Sequence, residues 1–119
     1  MAKKITKGHV YQHTPEDKKT VKVTIATGGE QPALWAVFLD GETVKKGTNT
    51  PKTISIGKGA ELHGKSIEVK IVTFDHDDSS DLISASIDIE GVDEPETCSE
   101  QFDSEPDAWL SLNALYFLA

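Results

Sequence analysis

The chain has 119 residues and a net charge of −8, with 20 acidic residues against 12 lysines and no arginine. That is material for one domain, residues 1–119, with a single modest core. The acidic balance and the missing Arg argue against a nucleic-acid binder, because phosphate backbones reward cationic surface and bidentate guanidinium contacts.

Strand-like elements follow one another along the chain. Residues 8–13 fit a first strand, and residues 14–19 a polar turn. Residues 20–27 alternate strictly, with Val21, Val23 and Ile25 on one face. That is the period of a half-buried strand. Residues 34–39 are apolar on both faces, which predicts a central strand covered on both sides, with Leu34, Ala36 and Phe38 assigned to the interior. Asp40-Gly41 follows directly and predicts a type I′ hairpin turn, whose two central residues need positive φ. The short polar return, residues 42–46, is expected at a sheet edge. Residues 53–56 form a brief strand, and Gly57, Gly59 and Gly64 bracket a loop with at most one helical turn.

Residues 66–74 alternate again, with Ile67, Val69 and Ile71 inward. Residues 82–90 do the same with Ile83, Ala85, Ile87 and Ile89. Residues 91–107 hold seven acids and no cation, and read as a long acidic loop with anchored ends and a loose middle near residues 94–100. Phe102 is the residue that would dock this loop on the domain if it acts as a strap. Residues 108–118 fit a last strand. Val, Ile and Thr number 28, a composition that suits strands. The expected fold is all-β, an antiparallel β-sandwich of seven or eight strands, C2-like or immunoglobulin-like, with a small closed β-barrel as the alternative.

Charge is distributed unevenly. Residues 1–70 hold all twelve Lys and seven acids, and residues 71–119 hold thirteen acids and no Lys. The asymmetry is either complementarity within the fold or a dipolar surface for a partner.

Candidate chemistry is sparse. Asp75, Asp77, Asp78 and Asp81 crowd the connection between two strands. Asp at alternate positions can supply oxygen ligands to calcium; an exposed polar hairpin loop is the other reading. The run Thr53-Ile54-Ser55-Ile56, then Glu61 to Lys65, then Ile67 to Asp77, then Asp81-Leu82-Ile83 resembles the central part of a C2 domain. That resemblance covers about a third of the chain. It implies a sandwich with an Asp-x-Asp calcium loop, and membrane docking only where calcium is bound. Many members of the fold bind proteins without calcium.

No catalytic motif stands out. His9 and His13 would share a strand face about 13 Å apart, too far for one metal. Cys98 lies between Glu96 and Glu100, which disfavour its thiolate. It is also the only thiol, so no internal disulfide can form. Residues 1–7 are basic with no apolar stretch behind them, no secretory signal is expected, and the domain is expected to be cytoplasmic. Trp35 and Trp109 are each a core residue or a binding anchor, with Trp109 expected to be the more exposed. The expected function is a non-catalytic interaction or structural module for a protein partner, with Trp109 and Phe102 as contact residues. The alternative is a calcium-responsive domain using residues 75–81.

Overall fold

The computed structural model describes residues 4–28, 32–74, 82–103 and 108–119. Among them are nine strands: β1 (Lys4–His13), β2 (Thr20–Thr27), β3 (Ala33–Leu39), β4 (Glu42–Gly47), β5 (Lys52–Lys58), β6 (Ser66–Phe74), β7 (Leu82–Glu90), β8 (Glu96–Asp103) and β9 (Trp109–Leu118). A single 3-10 turn, Gly59–Glu61, follows β5. Two sheets pack face to face as a β-sandwich, with no closed barrel. One sheet has five strands in the order β1-β9-β6-β3-β4, and the other has four in the order β5-β2-β7-β8. All pairings are antiparallel except β1 with β9, which run parallel.

The strict alternation of β2, β6 and β7 survives in three dimensions. Val21, Val23, Ile25, Ile67, Val69, Ile71, Ile83, Ile87 and Ile89 are all buried in one core. Leu110, Leu112, Ala114, Tyr116 and Leu118 of β9 complete it. The hairpin also forms as expected, with Asp40 at φ 48° and Gly41 at φ 85°. Asp40 Oδ1 accepts the Ser66 backbone N–H at 2.8 Å. That bond, helped by Lys65, holds the Asp40 carboxyl below its ordinary value. The return strand β4 lies at the sheet edge and is exposed almost throughout.

Strand β3 reverses the expected facing. Ala33, Trp35 and Val37 point into the core, while Leu34 is 63% exposed and Ala36 and Phe38 are only partly covered. Only one face of this strand is covered by the second sheet, so its two apolar faces compete for the interior. Trp35 decides the outcome. Its Nε1 donates to the Asn49 carbonyl at 3.0 Å, which satisfies the polar tip of a buried indole. Its ring also lies against Gly47, where a Cβ would come within 2.8 Å of the ring.

The acidic stretch is corrected as well. Residues 96–103 form the edge strand β8, paired along its length with β7, in place of a loose loop. Val92 is buried and bridges Pro15. The inward face of β8 presents Glu96, Cys98, Glu100 and Phe102 to the inward face of β1. His13 Nε2 lies 3.1 Å from Glu96, its Nδ1 3.4 Å from Asp93, and Lys7 Nζ sits 5.6 Å over the Phe102 ring. Two inward glutamates disguise this strand in the sequence, and histidines from β1 accommodate them.

A smaller contact lies near the His13 end of β1, where the Ala119 N–H donates to the His13 carbonyl. His63 meets Asp17 through Nε2 at 2.6 Å and the Ala119 carbonyl through Nδ1 at 2.9 Å. Both partners are acceptors, so only the imidazolium donates to both. The Asp17 bond, then the Ala119 carbonyl, hold the His63 pKa above its ordinary value. A raised folded-state value means that the contribution is complete below the ordinary histidine range and is lost as pH rises through the folded value. In thermal melts between about pH 5.5 and about pH 8.5, His63→Gln is expected to lose stability relative to the parent on the acid side. The difference should narrow as pH rises; a pH-independent difference would contradict this pairing.

Candidate functional site

The outer faces of the two sheets differ in kind. On the four-stranded sheet, the residues opposite the buried positions are polar or charged, among them Lys22, Thr24, Thr53, Ser55, Ser84, Ser86, Asp88, Glu90, Ser99 and Gln101. Thr24 and Thr53 hydrogen-bond to one another at 2.9 Å. On the five-stranded sheet the outward side chains are mixed, with large apolar groups among them. Val10, Leu34, Val44, Trp109 and Phe117 are the exposed large hydrophobic residues of the described chain, and all five belong to this sheet.

Register sets these residues in rows. Trp109 of β9 faces Phe74 of β6, and their rings meet at 4.9 Å with a 31° tilt. The next row runs Leu34, Val72, Ser111, Thr6 from β3 to β1. The row after it runs Lys46, Ala36, Lys70, Asn113, Gly8 across all five strands. A further row holds Phe38, Glu68, Leu115 and Val10. Lys70 Nζ lies 5.7 Å over the Phe38 ring and 3.9 Å from Glu68.

Two adjoining depressions follow from these rows. One, of about 560 Å³, is lined by Leu34, Ala36, Lys46, Gly47, Lys70 and Val72 among others. Its floor is low because Ala36 and Gly47 offer little or no side chain. The other, of about 390 Å³, is lined by Pro32, Leu34, Thr48, Val72, Phe74 and Trp109, with Ala33 beneath. They share Leu34, Thr48 and Val72 as a common wall, and side by side they make an apolar trough. Both volumes fall within the usual size of a ligand cleft.

Trp109, at 40% exposed, is the accessible indole, and Trp35, at 5%, is the core one. Phe102 is half-buried against the core beneath Lys7, away from this trough. The structure therefore does not bring Trp109 and Phe102 together. Asp75, Asp77, Asp78 and Asp81 lie outside the described residues. Among the described residues, no group of three or more His, Cys, Asp and Glu is placed to hold a metal ion.

The seam between β1 and β8 gathers a cluster of titratable side chains. His9 Nε2 lies 3.3 Å from Glu100 Oε1 at angles that make no hydrogen bond. Burial, then a hydrogen bond to Cys98, push the Tyr11 hydroxyl up to about 12. Burial raises Tyr116 further still, and its hydroxyl has no hydrogen-bond partner among the described residues. Burial also raises the Cys98 thiol, which keeps it in the unreactive form. The rings of Tyr11 and Tyr116 stack at 5.3 Å, flanked by His9 and His13. This seam closes the open side of the sandwich with polar and aromatic contacts.

Among the described residues, lysine pairing does not join the two halves of the chain. Among the described residues the lysine ion pairs are Lys19–Glu16, Lys65–Asp40 and Lys70–Glu68, all within the first seventy positions. The cross-half pairs are those of His9 and His13.

Comparison with protein-family models, with curated proteins and with solved structures finds no match to this chain.

Proposed function

We propose that this chain is a non-catalytic interaction module that binds a protein partner on the outer face of its five-stranded sheet. One observation carries the reading: every exposed large hydrophobic residue of the described chain lies on that sheet, and none lies on the other. An apolar trough bordered by polar rows is the usual form of an interaction surface. Trp109 has the features of an anchor, being large, rigid, partly exposed and propped on Phe74. We also propose a cytoplasmic setting, supported by a single thiol, Cys98, that is free and buried.

Affinity capture from the native organism, quantified for the parent and for surface variants, tests the reading. Leu34→Ser removes an exposed side chain and should cost under about 1 kcal/mol of stability, while Trp109→Ala also gives up the ring contact with Phe74 and should cost about 1–2 kcal/mol. Retention of the captured partner should fall about tenfold with either. Ser99→Lys, on the opposite sheet, should leave it unchanged. Loss with Ser99→Lys and retention with Trp109→Ala would move the binding face to the other sheet.

A further inference from the structure

Resting on that reading of the five-stranded face, we infer that its trough takes a peptide segment in which a carboxylate is flanked by large apolar side chains. The carboxylate seat is the row through Ala36. Lys46 of β4 and Lys70 of β6 are both cross-strand partners of Ala36, one on each side. Neighbouring strands lie about 4.8 Å apart, so two ammonium-bearing stems flank a single methyl group. Among the described residues Lys46 makes no ion pair, and Lys70 makes one, the 3.9 Å contact with Glu68, besides lying over the Phe38 ring.

The lining of this part of the trough holds two cations and no carboxylate. The chain as a whole has a net charge of −8, so the spot is locally cationic on an acidic molecule. A bound carboxylate supplies the counter-charge that Lys46 lacks, replaces the long Lys70–Glu68 contact, and takes a charge-assisted hydrogen bond from each lysine. Its apolar neighbours fall on Leu34, Val72 and Trp109 on one side and on Phe38 on the other, where Glu68 separates Phe38 from Leu115. An anionic bilayer would offer negative charge too, but the thirteen acids of residues 71–119 oppose approach to such a surface.

The test is a titration of the isotope-labelled full chain, read by the backbone amide resonances. The probes are three capped pentapeptides: Gly-Leu-Glu-Phe-Gly and its versions with Gln or Lys at the centre. Vesicles of phosphatidylcholine with phosphatidylserine form a separate arm. The Glu peptide should shift the amides of Leu34, Ala36, Lys46, Lys70 and Val72 and bind about tenfold more tightly than the Gln peptide. The Lys peptide should bind most weakly. The double variant Lys46→Gln, Lys70→Gln, which alters two exposed side chains, should keep a folded spectrum and erase the preference for Glu over Gln. Equal binding of all three peptides at this face would overturn the carboxylate seat and leave the binding face standing. No shift of these amides by any peptide would count against both. Vesicles moving the same amides, with the peptides silent, would assign the face to a membrane surface and overturn the peptide occupant.

Discussion

Gly91→Ala is expected to destabilise the domain by about 3 kcal/mol or more. Two costs coincide at this position. Gly91 sits at φ +86°, in the left-handed region that a side chain makes costly. A Cβ there would also lie 2.4 Å from the Thr20 carbonyl oxygen and 2.9 Å from its carbon, both main-chain atoms at the start of β2. A flexible side chain could swing away, but a strand backbone at the centre of a sheet cannot. The residue also anchors the turn after β7, since its carbonyl accepts the Glu16 N–H at 2.9 Å. That turn leads to the bridge between Val92 and Pro15, and so to the seam that holds β1. Urea unfolding of the variant measures the loss; a change under about 1 kcal/mol would mean that the turn relaxes without disturbing β2.

Ile67→Ala and Ile87→Ala are each expected to cost about 2–5 kcal/mol, the range for truncating a fully buried aliphatic chain and leaving a cavity. Ile67 lies on β6 and Ile87 on β7, so the pair samples both sheets of one core, and both are fully buried. Leu34→Ala removes a comparable side chain from β3, but from its outer face, and should cost under about 1 kcal/mol. The contrast measures which way β3 faces. Equal losses for Leu34→Ala and Ile67→Ala would place Leu34 in the core and reverse the trough's lining.

The strands β2, β6 and β7 were legible because each has one strongly apolar face, so burial has one choice. The opposite face is polar in β2 apart from Ala26, over Ser84, Ser86, Asp88 and Glu90 in β7, and over Ser66, Glu68 and Lys70 in β6. The Asp40-Gly41 turn was legible because the backbone there requires positive φ at two successive positions, which few residue pairs adopt. Strand β3 was not, since Leu34, Ala36 and Phe38 are as apolar as Trp35 and Val37. What separates them is a hydrogen bond to Asn49 and the space left by Gly47, and both lie beyond the strand itself. Strand β8 was hidden for the opposite reason. Its inward positions include Glu96 and Glu100, and only the distant His13 and His9 make those positions habitable.

The candidate site divides along the same line. The greater exposure of Trp109 could be read from its place after the acidic stretch. Its stacking on Phe74 needed the pairing of β6 with β9. Phe102 was legible as the residue that would dock its segment, but its place under Lys7, away from the trough, follows from the facing of β8 on β1. The lysines around Ala36 stand 10 and 34 positions after it in the chain, and only the register of β4 with β3 and of β3 with β6 brings them together. A bulge between Val37 and Phe38 shifts the first of these, so counting back from the turn would misplace Lys46.

The binding face is tested most directly by hydroxyl-radical footprinting of the free chain and of its complex with the captured partner, because side-chain oxidation reports which face is covered. Oxidation of Trp109, Leu34 and Phe74 is expected to fall severalfold in the complex, while the outer residues of β2, β5 and β7 keep their free rates. Unchanged oxidation at Trp109 and Leu34, with protection appearing on the four-stranded sheet, would contradict it.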